Sequence, residues 1–266
     1  MLQDPRTARR VGLRLRPPSG TPDRAPLILH SPGLGSGLAN GAPWCEAWQQ
    51  AGFWVATLSH PVTNDDLWDI ARGPFRDRMA AALAPAQYPA RVRDLRFVLD
   101  TLLANESLAR GIDRRRIGVA GHSYGALTVQ ALAGQQGPAQ QEPRISAFVA
   151  LSPSAMSRAS AQRMAAVTAP FLCVIGSHDQ QVTFSEGPER IRLGVPLAQR
   201  LWIHEQVSSR VRALLQVDQA DHMTLAGEPV DATRFSRDVV VKPDEQAAAW
   251  QRIAQGTTTF FQNALG

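Results

Sequence analysis

IGVAGHSYGALTVQALA, residues 117–133, is the stretch that decides the fold. The apolar run 117–120 predicts a short central strand buried on both faces. The string GHSYG at 121–125 follows it without a spacer, and 126–133 is rich in helix formers. A glycine-bracketed serine between a strand and a helix sits in a strained turn that lifts its hydroxyl above the sheet edge. The same turn aims the next helix N-terminus at a reacting carbonyl. Ser123 is therefore the candidate nucleophile.

Outward from this point, short β-rich runs alternate with longer helical patterns. Residues 11–16, 27–30, 53–59, 145–151, 171–176 and 211–217 read as further strands. Val92, Leu95, Leu99, Leu102 and Leu103 fall at helical spacing, as do Trp250, Ile253, Thr257, Phe260 and Phe261. That rhythm predicts an α/β fold with a mostly parallel central sheet flanked by helices on both faces. A length of 266 residues fits one domain, 1–266. Two long connections interrupt the rhythm, 61–89 and 180–210, and connections of that length form lids or binding loops. Their aromatics, Trp68 and Phe75 in the first and Phe184 and Trp202 in the second, are the candidate walls of a substrate pocket.

A serine hydroxyl is a weak nucleophile until a base takes its proton, and the base needs an acid to fix its tautomer. In this architecture the partners follow in the chain order serine, acid, histidine. Asp179, in GSHD, follows the run 171–176, and His222, in ADHM, follows 211–217, at the strand ends where ligands gather in open α/β sheets. Asp221 and Asp218 compete as the acid; Asp221 adjoins His222, so the side chains would diverge, and Asp218 would need the loop to fold back. Among the six histidines, His122 is turned away from the serine by the elbow. His30 and His60 end strands, where they shape or hydrogen-bond the site. His178 adjoins Asp179, and His204 has no strand context.

The glycine-rich string HSPGLGSG, residues 30–37, fails the dinucleotide pattern and lacks the lysine of a phosphate loop. It can instead present backbone N–H groups beside the serine. Donors fixed on the developing oxyanion are worth on the order of 3 kcal/mol each. The Tyr124 amide is one expected donor, and Leu34, or less favourably Gly33, supplies the other.

Composition narrows the classes. Apolar residues make up 44% and charged residues 19%, as in a globular protein. The net charge of +5 is almost all arginine, since Lys242 is the sole lysine. The cluster 114–116 is placed in a loop before a strand, and no basic stripe with interleaved aromatics argues for nucleic acid. Histidine and cysteine spacings do not match a metal site, and no metal or other cofactor is expected. Cys45 and Cys173 are too few for a disulfide framework; Cys173 reads as a packed thiol in a strand, and a single pairing of the two stays open. With no apolar run long enough to span a bilayer and no leader pattern at the start, the chain reads as soluble and cytoplasmic, or periplasmic or secreted if a leader has been removed. The sequence carries no signal for an oligomeric state.

SPGLGSG, AGFWVATLSHP, RVRDLRFVLDTLL, DRRRIGVAGHSYGA, GSHD and ADHMTLAG together resemble serine hydrolases of the α/β-hydrolase fold. The likeness is to the bacterial predicted dienelactone hydrolases related to platelet-activating-factor acetylhydrolases, and it covers most of the chain. The resemblance implies a triad of Ser123, Asp179 and His222 and an oxyanion hole from Leu34 and Tyr124. Pro32 stands where relatives often have histidine, and true dienelactone hydrolases use a cysteine where this chain has Ser123. The expected activity is hydrolysis of small to medium apolar esters through an acyl-enzyme. The same machinery could serve a polyester or lipid hydrolase or a peptidase, and a ligand-binding homologue without catalysis is the reading from another class.

Overall fold

A computed structural model describes residues 1–20, 23–229, 231, 233–236 and 241–266. In chain order the elements are β1 (Leu2–Gln3), β2 (Arg10–Arg16), β3 (Ala25–Ser31), α1 (Ala42–Gln50), β4 (Trp54–Ser59), α2 (Phe75–Leu83), α3 (Gln87–Ala104), α4 (Glu106–Gly111), β5 (Ile112–His122) and α5 (Tyr124–Leu132). Then come β6 (Ala147–Leu151), α6 (Arg158–Gln162), β7 (Phe171–His178), β8 (Val182–Glu186), β9 (Glu189–Leu193), α7 (Leu197–Glu205), β10 (Arg212–Asp221), β11 (Phe235–Ser236) and α8 (Pro243–Leu265).

The main sheet has the order β1-β2-β4-β3-β5-β6-β7-β10. Every pairing from β4 through β10 is parallel, and β1 and β2 add an antiparallel edge. This is the mostly parallel sheet that the strand and helix rhythm predicts, in the strand order of the α/β-hydrolase fold implied by the resemblance. Strand side chains alternate faces. Leu27, Leu29, Ile117 and Val119 therefore enter one core with Leu95, Leu99 and Val129, while Ile28 and Ala120 enter the other with Trp48, Ile253 and Phe261. Helices α3 and α5 cover the first face, and α1 and α8 the second.

The core strands lie close to their expected positions, and the differences have physical causes. β5 begins at Ile112, so the arginines at 114–116 belong to a strand rather than a loop. That entry half is more exposed than the fully buried 117–122, which lets arginine side chains reach water while the backbone stays extended. Arg116 pairs with Asp113 at 2.8 Å. Both long connections are structured. The first carries two short 3-10 turns and α2, and the second carries β8, β9 and α7. β8 and β9 form a separate antiparallel sheet with β11. Cys45 and Cys173 are free and buried. No described helix is long and apolar enough to cross a membrane.

Candidate active site

Four side chains that build the site stand at the carboxyl ends of parallel strands: Ser123 follows β5, Ser152 follows β6, Asp179 follows β7 and His222 follows β10. At Ser123 the backbone adopts φ 54° and ψ −111°, a conformation costing about 1–3 kcal/mol for a residue with a Cβ. Its flanking glycines are required by close approach. A Cβ on Gly125 would lie 2.0 Å from the Ser31 carbonyl oxygen, and one on Gly121 would lie 2.5 Å from that of Gly125. The elbow closes only because both positions lack side chains.

Ser123 Oγ lies 2.9 Å from His222 Nε2, and His222 Nδ1 lies 3.0 Å from Asp179 Oδ1. With the proton on Nδ1 donated to the carboxylate, Nε2 is left to accept the serine proton. The rival acids lie elsewhere: Asp221 accepts from the Thr224 amide and hydroxyl at 2.7 and 2.6 Å, and Asp218 faces solvent beside Arg252. His122 turns its Nε2 to the His222 carbonyl at 2.9 Å, away from Ser123 Oγ. Burial holds His122 well below the usual imidazole range, and the nearby His222 adds to the effect.

Two residues at this cluster had not been singled out from sequence. Ser152 donates to Asp179 Oδ1 at 3.0 Å and lies 2.8 Å from His222 Nδ1; its own φ is 59°. Arg200, on α7, has Nε 3.1 Å from Asp179 Oδ1 and also donates to the carbonyls of Ser152 and Pro153 at 3.2 and 2.9 Å. Both partners of that ion pair are fully buried. A serine in LSPS and an arginine inside a long connection carry no pattern that marks them. Only the return of α7 beneath β7 brings Arg200 to the acid.

The two residues expected to supply the oxyanion donors line the same cavity. Tyr124 opens α5, so its amide has no intrahelical acceptor. The Leu34 amide donates to no acceptor among the described residues. Leu34, Ser123, Tyr124 and His222 border one cavity of about 340 Å³, whose other walls include Leu127, Met156, Val182, Phe184 and Val195. No acidic side chain, lysine or arginine lines it among the described residues.

Of the four aromatics expected in the pocket wall, Phe184 alone lines this cavity. Trp68 and Phe75 are buried one layer behind it. Trp68 stacks on Phe75 and Phe184 at 6.1 Å each and meets Phe235 edge-on at 5.2 Å. Its indole N–H donates to the Gly35 carbonyl at 2.8 Å, and that hydrogen bond turns the ring toward the loop that carries Leu34 rather than into the cavity. Trp202 lies on α7 beside Arg158, whose guanidinium sits 5.5 Å from the ring, at a separate hollow. A larger hollow, about 830 Å³, lies around Arg24, Arg110 and Asp113 at the opposite end of β5 from Ser123 and holds no candidate nucleophile. Among the described residues no three His, Cys, Asp or Glu side chains gather as a metal would require.

A family model described as alpha/beta hydrolase fold matches residues 82–235, more than half the chain, and the chain belongs to that family. No curated protein matches it in sequence. Among solved structures it is similar to a dienelactone hydrolase from Anabaena variabilis ATCC 29413 at 18% identity, covering 96% of this chain and 93% of that one, with a TM-score of 0.62. A ferulic acid esterase from Streptomyces cinnamoneus is 23% identical over 92% of this chain and 68% of its own, with a TM-score of 0.61. Est1E from Butyrivibrio proteoclasticus is 14% identical, with 96% of each chain covered and a TM-score of 0.57.

Proposed function

We propose that this alpha/beta hydrolase is a serine carboxylic-ester hydrolase, and that Ser123, His222 and Asp179 carry its chemistry. The observation that carries the reading is the continuous chain from Ser123 Oγ through His222 to Asp179, at 2.9 and 3.0 Å. Ser123 and His222 line an apolar cavity. The ferulic acid esterase among the structural neighbours agrees with ester hydrolysis as the reaction class.

Ser123 Oγ attacks the ester carbonyl carbon as His222 Nε2 takes its proton, and Asp179 holds the resulting imidazolium through Nδ1–H. The amides of Leu34 and Tyr124 bind the oxygen as it becomes negative. Collapse of the tetrahedral species breaks the bond to the alkoxy oxygen, which leaves as alcohol with the proton from His222. Water then gives a proton to His222 and adds its oxygen to the acyl carbon; collapse returns the proton to Ser123 Oγ and frees the acid. No step calls for a cofactor.

The cavity sets the substrate class. Its walls are mainly aliphatic and about 340 Å³ suits a small to medium acyl or alcohol group. With no lining cation, a carboxylate on the substrate would be desolvated without a partner. That disfavours esters that carry a free carboxylate. The connections 61–89 and 180–210 serve as pocket walls within one hydrolase domain, through Leu83 from the first and Val182, Phe184 and Val195 from the second. A fluorophosphonate should add one phosphonyl group per chain at Ser123 and none to Ser123→Ala; modification at another serine would overturn the assignment.

A further inference from the structure

A second buried network lies behind the oxyanion-side loop. Asp94 on α3 receives Arg9 through Nε and Nη2, both at 2.8 Å, and lies 3.0 Å from His60 Nδ1. His60 Nε2 is 3.0 Å from Ser31 Oγ. Ser31 Oγ accepts from Arg91 Nη2 at 3.1 Å, so its own proton goes to His60 Nε2, and His60 gives its Nδ1 proton to Asp94. The connectivity copies Ser123–His222–Asp179, yet Ser31 is fully buried and both its donor and acceptor roles are taken. Such a serine cannot attack a substrate. Burial pushes His60 down to about 4, with the Arg91 charge acting in the same direction, so the ring stays neutral.

The network ends at Arg91, a fully buried guanidinium on α3. One nitrogen donates to the Pro32 carbonyl, two residues before Leu34, as well as to Ser31. A second donates to Thr63 Oγ1 at 2.6 Å, and the Thr63 carbonyl accepts the Gly35 amide at 2.9 Å. The peptide bearing the Leu34 amide is thus gripped on both sides. The other donor is held by the same group: Arg91 Nε donates to Thr128 Oγ1 at 3.3 Å on α5, and its guanidinium carbon lies 4.7 Å from the Tyr124 ring centroid. A planar fork with five donors can span this set, and an ammonium cannot.

We infer that Arg91 is the positioning residue of the oxyanion hole, fixing the Leu34 and Tyr124 amides relative to one another. The inference rests on the proposed ester hydrolysis at Ser123. Arg91 does not touch the substrate; it sets the spacing of two donors whose effect depends on distances of about 3 Å to the oxyanion.

The test compares wild type, Arg91→Lys and Thr63→Val on p-nitrophenyl butyrate, with two inhibitors of the same chain length: a trifluoromethyl ketone, which forms a tetrahedral adduct with the serine, and the plain methyl ketone. In Arg91→Lys kcat should fall about 10- to 100-fold while KM moves less than about threefold. Ki for the trifluoromethyl ketone should weaken in step with kcat/KM, with the methyl ketone unchanged. Thr63→Val, which loosens one grip only, should show the same pattern at about three- to tenfold. If Arg91→Lys does not fold, the selective loss in Thr63→Val decides alone. Retained kcat in the folded variants, or equal weakening of both ketones, would overturn the inference. Absence of ester turnover and of adduct formation in wild type would instead overturn the reading of Ser123.

Discussion

Arg200 and Asp179 form an ion pair sealed from solvent, with Nε 3.1 Å from Oδ1 directly behind His222. Burial lowers the affinity of Arg200 for its proton and the Asp179 charge opposes that, so each charge is tolerated because of the other. Removing one partner leaves the second uncompensated, at a cost of about 3–5 kcal/mol. Arg200→Met should therefore lose about that much in urea unfolding, and Arg200→Met with Asp179→Asn should recover most of it. A single-variant loss below about 1 kcal/mol would show the pair to be dispensable.

Gly125 admits no side chain. The methyl group of Gly125→Ala would sit 2.0 Å from the Ser31 carbonyl oxygen, so β3 and α5 must separate. Since Ser31 leads into the Leu34 loop, the separation also displaces the proposed oxyanion donor. The expected result is destabilisation of about 2 kcal/mol or more, together with loss of the proposed esterase activity in the folded fraction. Wild-type melting and turnover would contradict the packing described at the elbow.

Ala155 is the smallest side chain with a Cβ in the cavity wall, beside Leu127 and Met156. Ala155→Phe should fill part of the space and shift the preferred acyl chain toward acetate, cutting kcat/KM for octanoate by about tenfold or more. Esters carrying a second, ionised carboxylate should be turned over at least about 100-fold less efficiently than neutral ones of equal length. Equal rates for charged and neutral acyl groups would place the substrate somewhere other than this cavity.

Three buried histidines predict the acid response. Burial, aided by the Arg16 charge, pushes His30 down to about 3; His60 falls to about 4; His122 lies well below the usual range. The unfolded chain protonates these rings near pH 6.5 and the folded chain does so only at lower pH, so between those limits the unfolded state binds more protons and stability rises with pH. Asp94 acts further down. Burial opposes its charge, but the hydrogen bonds from Arg9 and His60 hold it at about 2, so its contribution is lost as pH falls from about 4 through 2. The unfolding free energy at pH 4.5 should be at least about 3 kcal/mol below that at pH 7.5; a flat profile would contradict the neutral, buried histidines.

What could be read from sequence follows from how local each signal is. The strand at 117–120, the elbow around Ser123 and the helix after it are consecutive, so one window carries them. Asp179 and His222 are legible because each comes shortly after a predicted strand, 171–176 and 211–217, and hydrogen bonds join both to Ser123. Arg200, Ser152 and Arg91 are not. Their contacts join α7 to β7, β6 to β10 and α3 to the Leu34 loop, and no spacing encodes such pairings. Trp68, Phe75 and Trp202 show the opposite failure. Aromatics in a long connection suggest a pocket lining, but Trp68 and Phe75 gain more by stacking with Phe184 and Phe235 in a small core of their own. Trp202 is carried elsewhere by α7.

The proposed role of Ser123 is that of nucleophile in an esterase. It is tested most directly by hydrolysis of p-nitrophenyl esters from acetate to long-chain acyl groups, with Ser123→Ala alongside and its fold checked by circular dichroism. Wild type should turn over these esters, fastest for short to medium chains, and the folded variant should lose at least about 10⁴-fold. Substantial hydrolysis by Ser123→Ala, or none by wild type across the series, would contradict that role.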